Sequence, residues 1–197
     1  MLINFNKRAQ VFTLVAIILI GLVFVSFEIF SMVKERDSVE SRISTMDGFL
    51  FSVEKNLERQ MYISGFRAIF LAEDYITKNG DYINVDQFFN EAFFNGSVNG
   101  QPEEILQGAR YNDIVNSLNQ KAKKLNVVIN LSNPSISISQ DDPWNVKYTL
   151  DVDFVMRDKS NLAKWDKQQE ISAYIPVEGF EDPLYTVNTN ARISQKI

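Results

Sequence analysis

Carboxylates offer most of the side-chain chemistry in this chain. Asp151 and Asp153 stand two residues apart, a spacing that places both on one face of a strand. Closed off from water, such a pair would suit acid–base work. Asp141-Asp142 and the later group Glu178, Glu181 and Asp182 carry oxygens fit for Ca²⁺, but neither follows the spacing of an EF-hand loop. Lys121, Lys123 and Lys124 cluster as an anion site would, and Trp144 and Trp165 flank one strand-like run as an aromatic ligand platform would. Asn95-Gly96-Ser97 and Asn130-Leu131-Ser132 are glycosylation sequons, and Asn95, in a stretch of loop composition, is the more accessible of the two.

The exclusions are sharper. There is no histidine and no cysteine, which removes the usual zinc, haem and iron–sulfur ligands, His-dependent triads and disulfides. No phosphate-binding loop, dinucleotide fingerprint or nucleophile elbow is present. All 25 acidic residues lie at or after Glu28, whereas Lys7 and Arg8, two of the 20 basic residues, precede it. The remainder therefore carries a net charge of about −7, which disfavours nucleic acid as a partner. A non-catalytic protein with no metal and no cofactor is the expectation.

The elements that must position these residues follow from periodicity. Leu125, Val127, Ile129 and Leu131 alternate with more polar positions, Asn133-Pro134 reads as a turn, and Ile136 and Ile138 alternate with serines. After Asp141-Asp142-Pro143, the residues Val146, Tyr148, Leu150, Val152, Phe154 and Met156 share one strand face, with Lys147, Thr149, Asp151, Asp153 and Arg157 on the other. Ile171, Ala173 and Ile175 form a last strand, stopped by Pro176. These runs predict an antiparallel meander with one face buried and one wet. On that pattern Asp151 and Asp153 are solvated.

Upstream the period is helical. Val39, Ile43, Met46, Leu50, Val53 and Leu57 form a seam at spacings of four and three, widened by Met61, Phe66, Ile69, Phe70 and Tyr75 and closed by Asn79-Gly80. Asn84 is placed to cap a short helix carrying Phe88, Phe89, Ala92 and Phe93. Tyr111, Ile114, Val115, Leu118, Ala122 and Leu125 give a second helical stripe, with the three lysines in its last turns, where they suit the helix dipole. The tail from Gly179 to Ile197 shows turn chemistry and scattered apolar residues.

At the N-terminal end, Lys7-Arg8-Ala9-Gln10 stands before an apolar run from Val11 to Phe27. The 19 residues from Ala9 to Phe27 hold no charge; as a helix they reach about 28 Å, the thickness of a bilayer's hydrocarbon core. The run exceeds a cleavable secretory core, and Phe27-Glu28-Ile29-Phe30 offers no small-residue cleavage site. The basic pair predicts a cytoplasmic N-terminus and an external domain from about Ser31 onward.

A charged leader, a basic pair, a small residue, glutamine and an unbroken apolar helix resemble the class III signal of type IV pilins and their archaeal relatives. That resemblance implies a prepilin peptidase cutting beside Arg8, Ala9 and Gln10, after either Arg8 or Ala9. The apolar helix would be retained as a filament core, with other pilin-like subunits as partners. The fold expected is α+β: a single N-terminal transmembrane helix continuing into a long amphipathic helix packed on a three- to four-stranded antiparallel sheet, type IV pilin-like. Its parts are a cytoplasmic leader (1–9), a transmembrane helix (10–33), the amphipathic continuation (34–80), a helical insert (81–124), and the sheet with its tail (125–197). One departure stands out: many members of the family carry glutamate at the fifth mature position, where this chain has Leu14 or Thr13. The implied function is a pilin-like or pseudopilin-like subunit of a surface filament or secretion apparatus, single-pass in the membrane before processing. The alternative is an uncleaved, signal-anchored extracytoplasmic binding or sensor-accessory domain.

Overall fold

The computed structural model describes the backbone of residues 7–197 and the side chains from Val11 onward. The chain divides into two compact units, Met1–Thr45 and Met46–Ile197. Helix α1 runs from Lys7 to Asn79, 73 residues without a break. No proline interrupts it, and Gly80, at φ +71°, ends it in the left-handed conformation that glycine adopts most cheaply. The first unit consists of the apolar part of α1 and the charged turns that follow.

In the second unit, α1 is followed by α2 (Val85–Asn90), a π-helical turn (Glu91–Asn95), a short hairpin of β1 (Ser97–Val98) and β2 (Gln101–Pro102), and α3 (Tyr111–Lys124). Three long strands come next: β3 (Val127–Asp142), β4 (Asn145–Asp158) and β5 (Lys164–Pro176). They form an antiparallel sheet in the order β3-β4-β5. A short α4 (Pro183–Asn188) lies in the tail, where Gly179, Phe180 and Asp182 exchange backbone hydrogen bonds with Gln195 and Ile197.

The α+β class and the antiparallel sheet agree with the expectation, and of the three to four strands expected the sheet has three. Asn133-Pro134 does not turn the chain. Between the pairs Ser132↔Asp153 and Ser135↔Asp151, two residues of β3 oppose the single Val152, which makes a β-bulge. The bulge moves the core face from odd to even positions. Val127, Ile129 and Leu131 are buried before it, and Ile136 and Ile138 pack on the core after it. Asn133 takes positive φ (51°), and Pro134, which has no N–H to donate, sits where the ladder is interrupted.

One face of the sheet carries Tyr148, Leu150, Val152, Phe154 and Met156 from β4, all buried, with Ile171, Ala173 and Ile175 from β5. Against it lie Met46, Leu50, Val53, Leu57 and Met61 of α1, then the small residues Ser64, Gly65, Ala68 and Ala72. The upper part of the predicted stripe needs correction. Phe66 and Phe70 are exposed, and small side chains face the sheet in that stretch because the bulk comes from Tyr148, which is fully buried. Burial holds the Tyr148 phenol well above its ordinary pKa, with buried Ser64 partly offsetting the effect. The end of α1, α2 and α3 enclose a second part of the core, where Phe93 stands 5.9 Å edge-on to Tyr148 and 6.0 Å from Tyr111.

Candidate assembly surface

The outer face of the sheet places the carboxylates singled out in the sequence. Asp151 is exposed, Asp153 half-buried, and both border a shallow depression of about 550 Å³ shared with Asn133, Ser135, Gln168 and Glu170. Their neighbours bind them individually. Asn133 Nδ2 donates to Asp153 at 2.7 Å, and Glu170 pairs with Lys147 at 3.3 Å. No enclosed acid–base pair results. Thr149, expected on the wet side, does lie on the outer face, yet it is buried between Ser137 and Ser172 and shares a 2.9 Å hydrogen bond with the latter. On a central strand a short side chain is shaded by both neighbours.

The remaining candidates are dispersed. Asp142 belongs to the β3–β4 turn, where the Trp144 N–H, followed by the Asn145 amide, holds its carboxyl below the usual range. Asp182 caps α4 through Leu184 N. Among the described residues no three metal-ligating side chains come together. Trp144 is exposed at one end of β4, and Trp165 lies opposite Met156 near the other end, so they form no common platform. Lys121, Lys123 and Lys124 point outward from the end of α3. Both sequon asparagines are exposed: Asn95 at the end of the π-helical turn, and Asn130 on β3 opposite Val155. The side chains of Arg8, Ala9 and Gln10, where processing is expected, fall outside the described residues.

Exposed apolar side chains concentrate on α1. In the first unit every large apolar side chain from Val11 to Val33 is exposed, and Glu28 is the one charge among them. This helix is long and apolar enough to cross a membrane. In the second unit, α1 carries a separate apolar row: Phe51, Tyr62, Phe66 and Phe70 are 63, 40, 41 and 45% exposed. At 3.6 residues per turn these four run from the flank of the stripe formed by Leu50, Leu57, Gly65 and Ala72, where Phe51 and Tyr62 lie, round to the side away from it, where Phe70 lies. Tyr62 and Phe66 stack at 6.4 Å, and Phe66 meets Phe180 edge-on at 5.6 Å. Lys55 and Glu58, joined at 3.0 Å, interrupt the row.

The sequence pattern obscured this row by merging it with the core stripe. Its aromatics at i and i+4 (Tyr62, Phe66, Phe70) satisfy the same period as a core face, and only the position of the sheet separates the two. Also unforeseen were Lys167 and Gln169, which occupy core-side positions of β5; Lys167 pairs there with Glu54 of α1 and lies 6.0 Å over the Phe154 ring. Comparison with known proteins finds no family model, no curated protein and no solved structure that matches this chain.

Proposed function

We propose that this protein is a non-catalytic, pilin-like or pseudopilin-like subunit of a surface filament or secretion apparatus. The observation that carries the reading is the two-sided α1. A helix that served only its own domain would bury one stripe and turn a polar face to water. Here a flank of the helix beside the buried stripe carries exposed aromatic rings, and clustered exposed apolar surface of this kind marks an interaction site. The apolar segment of the same helix supplies a lipid-soluble store before assembly. Its removal from lipid against neighbouring helices would then depend on close packing.

In this reading Lys7 and Arg8 hold the N-terminus in the cytoplasm and the second unit stands outside. The scissile bond lies beside Ala9, on the cytoplasmic side of the membrane. A minor or tip subunit fits better than a major one, because Leu14 or Thr13 replaces the glutamate that would pair with a neighbour's new N-terminus. That same replacement favours the second reading, an uncleaved signal-anchored binding or sensor-accessory domain. Co-expression with a prepilin peptidase separates the two. Intact mass should show the loss of eight or nine residues, with Ala9 or Gln10 first, and Ala9→Phe should block the cut while leaving charge and span intact. A chain that keeps Met1 to Arg8 beside an active peptidase overturns the subunit reading.

A further inference from the structure

A different part of the second unit holds a cleft lined by aromatic rings and one carboxylate. The end of α1, the loop to α2, and the β1–β2 hairpin enclose a cleft of about 210 Å³. Tyr75, Tyr82 and Phe88 supply aromatic surface, Asn84 and Gln87 supply amides, and Glu91 supplies a carboxylate. Phe88 is buried and stands 6.2 Å from the Tyr75 ring, so two of the three rings are fixed by the core. Tyr82, 62% exposed, also lines the cleft.

Glu91 is held in place. Gly100 N–H donates to its Oε1 at 2.6 Å and the Ser97 hydroxyl at 2.7 Å. These bonds, the backbone one first, keep its carboxyl below the usual carboxylate range and therefore charged. Among the described residues no ion pair includes Glu91. Between Lys78 and Arg110 the chain has no basic residue, although Asp81, Asp86, Glu91, Glu103 and Glu104 all lie there. The flanking cations are engaged elsewhere: Lys78 pairs with Asp74 at 2.6 Å, and Arg110, which packs against Gly96, is held by Asp113 at 2.7 Å.

We infer that this cleft binds an alkylammonium group, carried by a lysine side chain of a protein partner or by a trimethylammonium head group. Aromatic faces attract a cation through their quadrupoles, and the anchored carboxylate neutralises it. The volume lies below the range of drug-sized pockets, which suits a head group and not an extended oligosaccharide. The inference stands apart from the assembly reading, since it uses neither the span nor the aromatic row of α1.

The test uses the full chain in an uncharged polyoxyethylene detergent, titrated at fixed ionic strength with choline chloride, N-acetyl-lysine amide and glucose, and read by calorimetry. At least one cation should bind saturably, the tighter of the two identifying the source, and glucose should not bind. Glu91→Gln, which retains an acceptor for Gly100 and Ser97, and Tyr82→Ala, which removes an exposed ring, should each weaken binding about tenfold. Thermal melts confirm that both variants fold; if Glu91→Gln melts early, Tyr82→Ala carries the test. Absence of saturable cation binding, unchanged cation affinity in Tyr82→Ala or in a folded Glu91→Gln, or glucose binding as tight as that of the cations would each overturn the inference.

Discussion

Gly65 offers the most direct test of how α1 is seated. A methyl group built there would run into Ile175 Cδ1 and stand 2.9 Å from Cδ1 and Cγ of Tyr148. The isoleucine end can rotate away. The root of a fully buried tyrosine ring cannot move without shifting β4 or the helix. Gly65→Ala therefore sets an overpacking cost of about 1–3 kcal/mol against a helix-propensity gain of about 1 kcal/mol. Gly48, in the same helix and the same unit, has open space at that position, so Gly48→Ala gains the propensity alone. The propensity terms cancel in the comparison, and the two variants should differ by about 1–3 kcal/mol. For a unit of this size that is roughly 2–12 °C in Tm.

The assay is thermal unfolding of the full chain in detergent, followed by near-ultraviolet circular dichroism, which reports the tyrosine and tryptophan environments of the sheet unit. Gly48→Ala should melt at or above the parent temperature, and Gly65→Ala clearly below Gly48→Ala. If both alanines raise Tm equally, Gly65 does not face Tyr148, and the placement of α1 on the sheet is wrong.

Three further outcomes are expected. Leu150→Asp or Phe154→Asp should unfold the sheet unit, because an unpaired carboxylate at a fully buried position costs several kcal/mol, whereas Asp151→Asn on the outer face should shift the melt by less than about 0.5 kcal/mol. Asp113 is depressed first by its hydrogen bond from Arg110, so its folded pKa lies below the unfolded one. Its contribution is then complete above the ordinary value of 3.8 and lost as pH falls through the folded pKa; Asp113→Asn should be less stable than the parent at neutral pH and converge with it in acid melts. Cysteines introduced singly at Tyr62 or Phe66, in a chain with none of its own, should crosslink between copies in membranes under oxidant, and a control at Val128 on the outer sheet face should not; equal yields at all three sites would argue against assembly through α1.

How far the sequence could be read depended on which period a residue obeyed. The face of β4 from Val146 to Met156 was legible because strict alternation has one geometric solution. The bulge at Asn133-Pro134 was not, since a turn and a bulge use the same residues and both reset the alternation. The first half of β5 was hidden by Lys167 and Gln169, polar residues on the core side; Lys167 is explained by Glu54, on a helix more than a hundred residues earlier, and the Gln169 side-chain oxygen finds no partner among the described residues. The tail was unreadable for the opposite reason: its order comes from backbone bonds between Gly179–Asp182 and Gln195–Ile197, which carry no side-chain signature. Of the acidic candidates, alternation placed Asp151 and Asp153 correctly on the outer face. The cleft around Glu91 had a sequence trace in the stretch without bases from Asn79 to Ala109, but the pairing of Tyr75 with Tyr82 and Phe88 required the chain reversal at Gly80.

The two faces of α1 impose separate demands on one sequence. The sheet side must be small from Ser64 to Ala72, because Tyr148 fills the space, and it has no freedom to grow. The exposed flank is less crowded: Phe66 meets Phe180 there, and Phe51, Tyr62, Phe66 and Phe70 stand outside the buried core that includes Leu57, Met61 and Phe154. Large exposed rings held there expose apolar surface and favour nonspecific association, so the monomer alone gives no reason for keeping them. In the proposed subunit reading, contacts between copies supply one. Folding and assembly are thereby separable at the level of single residues. Substitutions at Gly65 or Ala68 should change the melting temperature in proportion to the clash they create. Substitutions at Phe51 or Phe70, exposed and without a ring partner among the described residues, should leave the melt near that of the parent and, in the subunit reading, act only where copies meet.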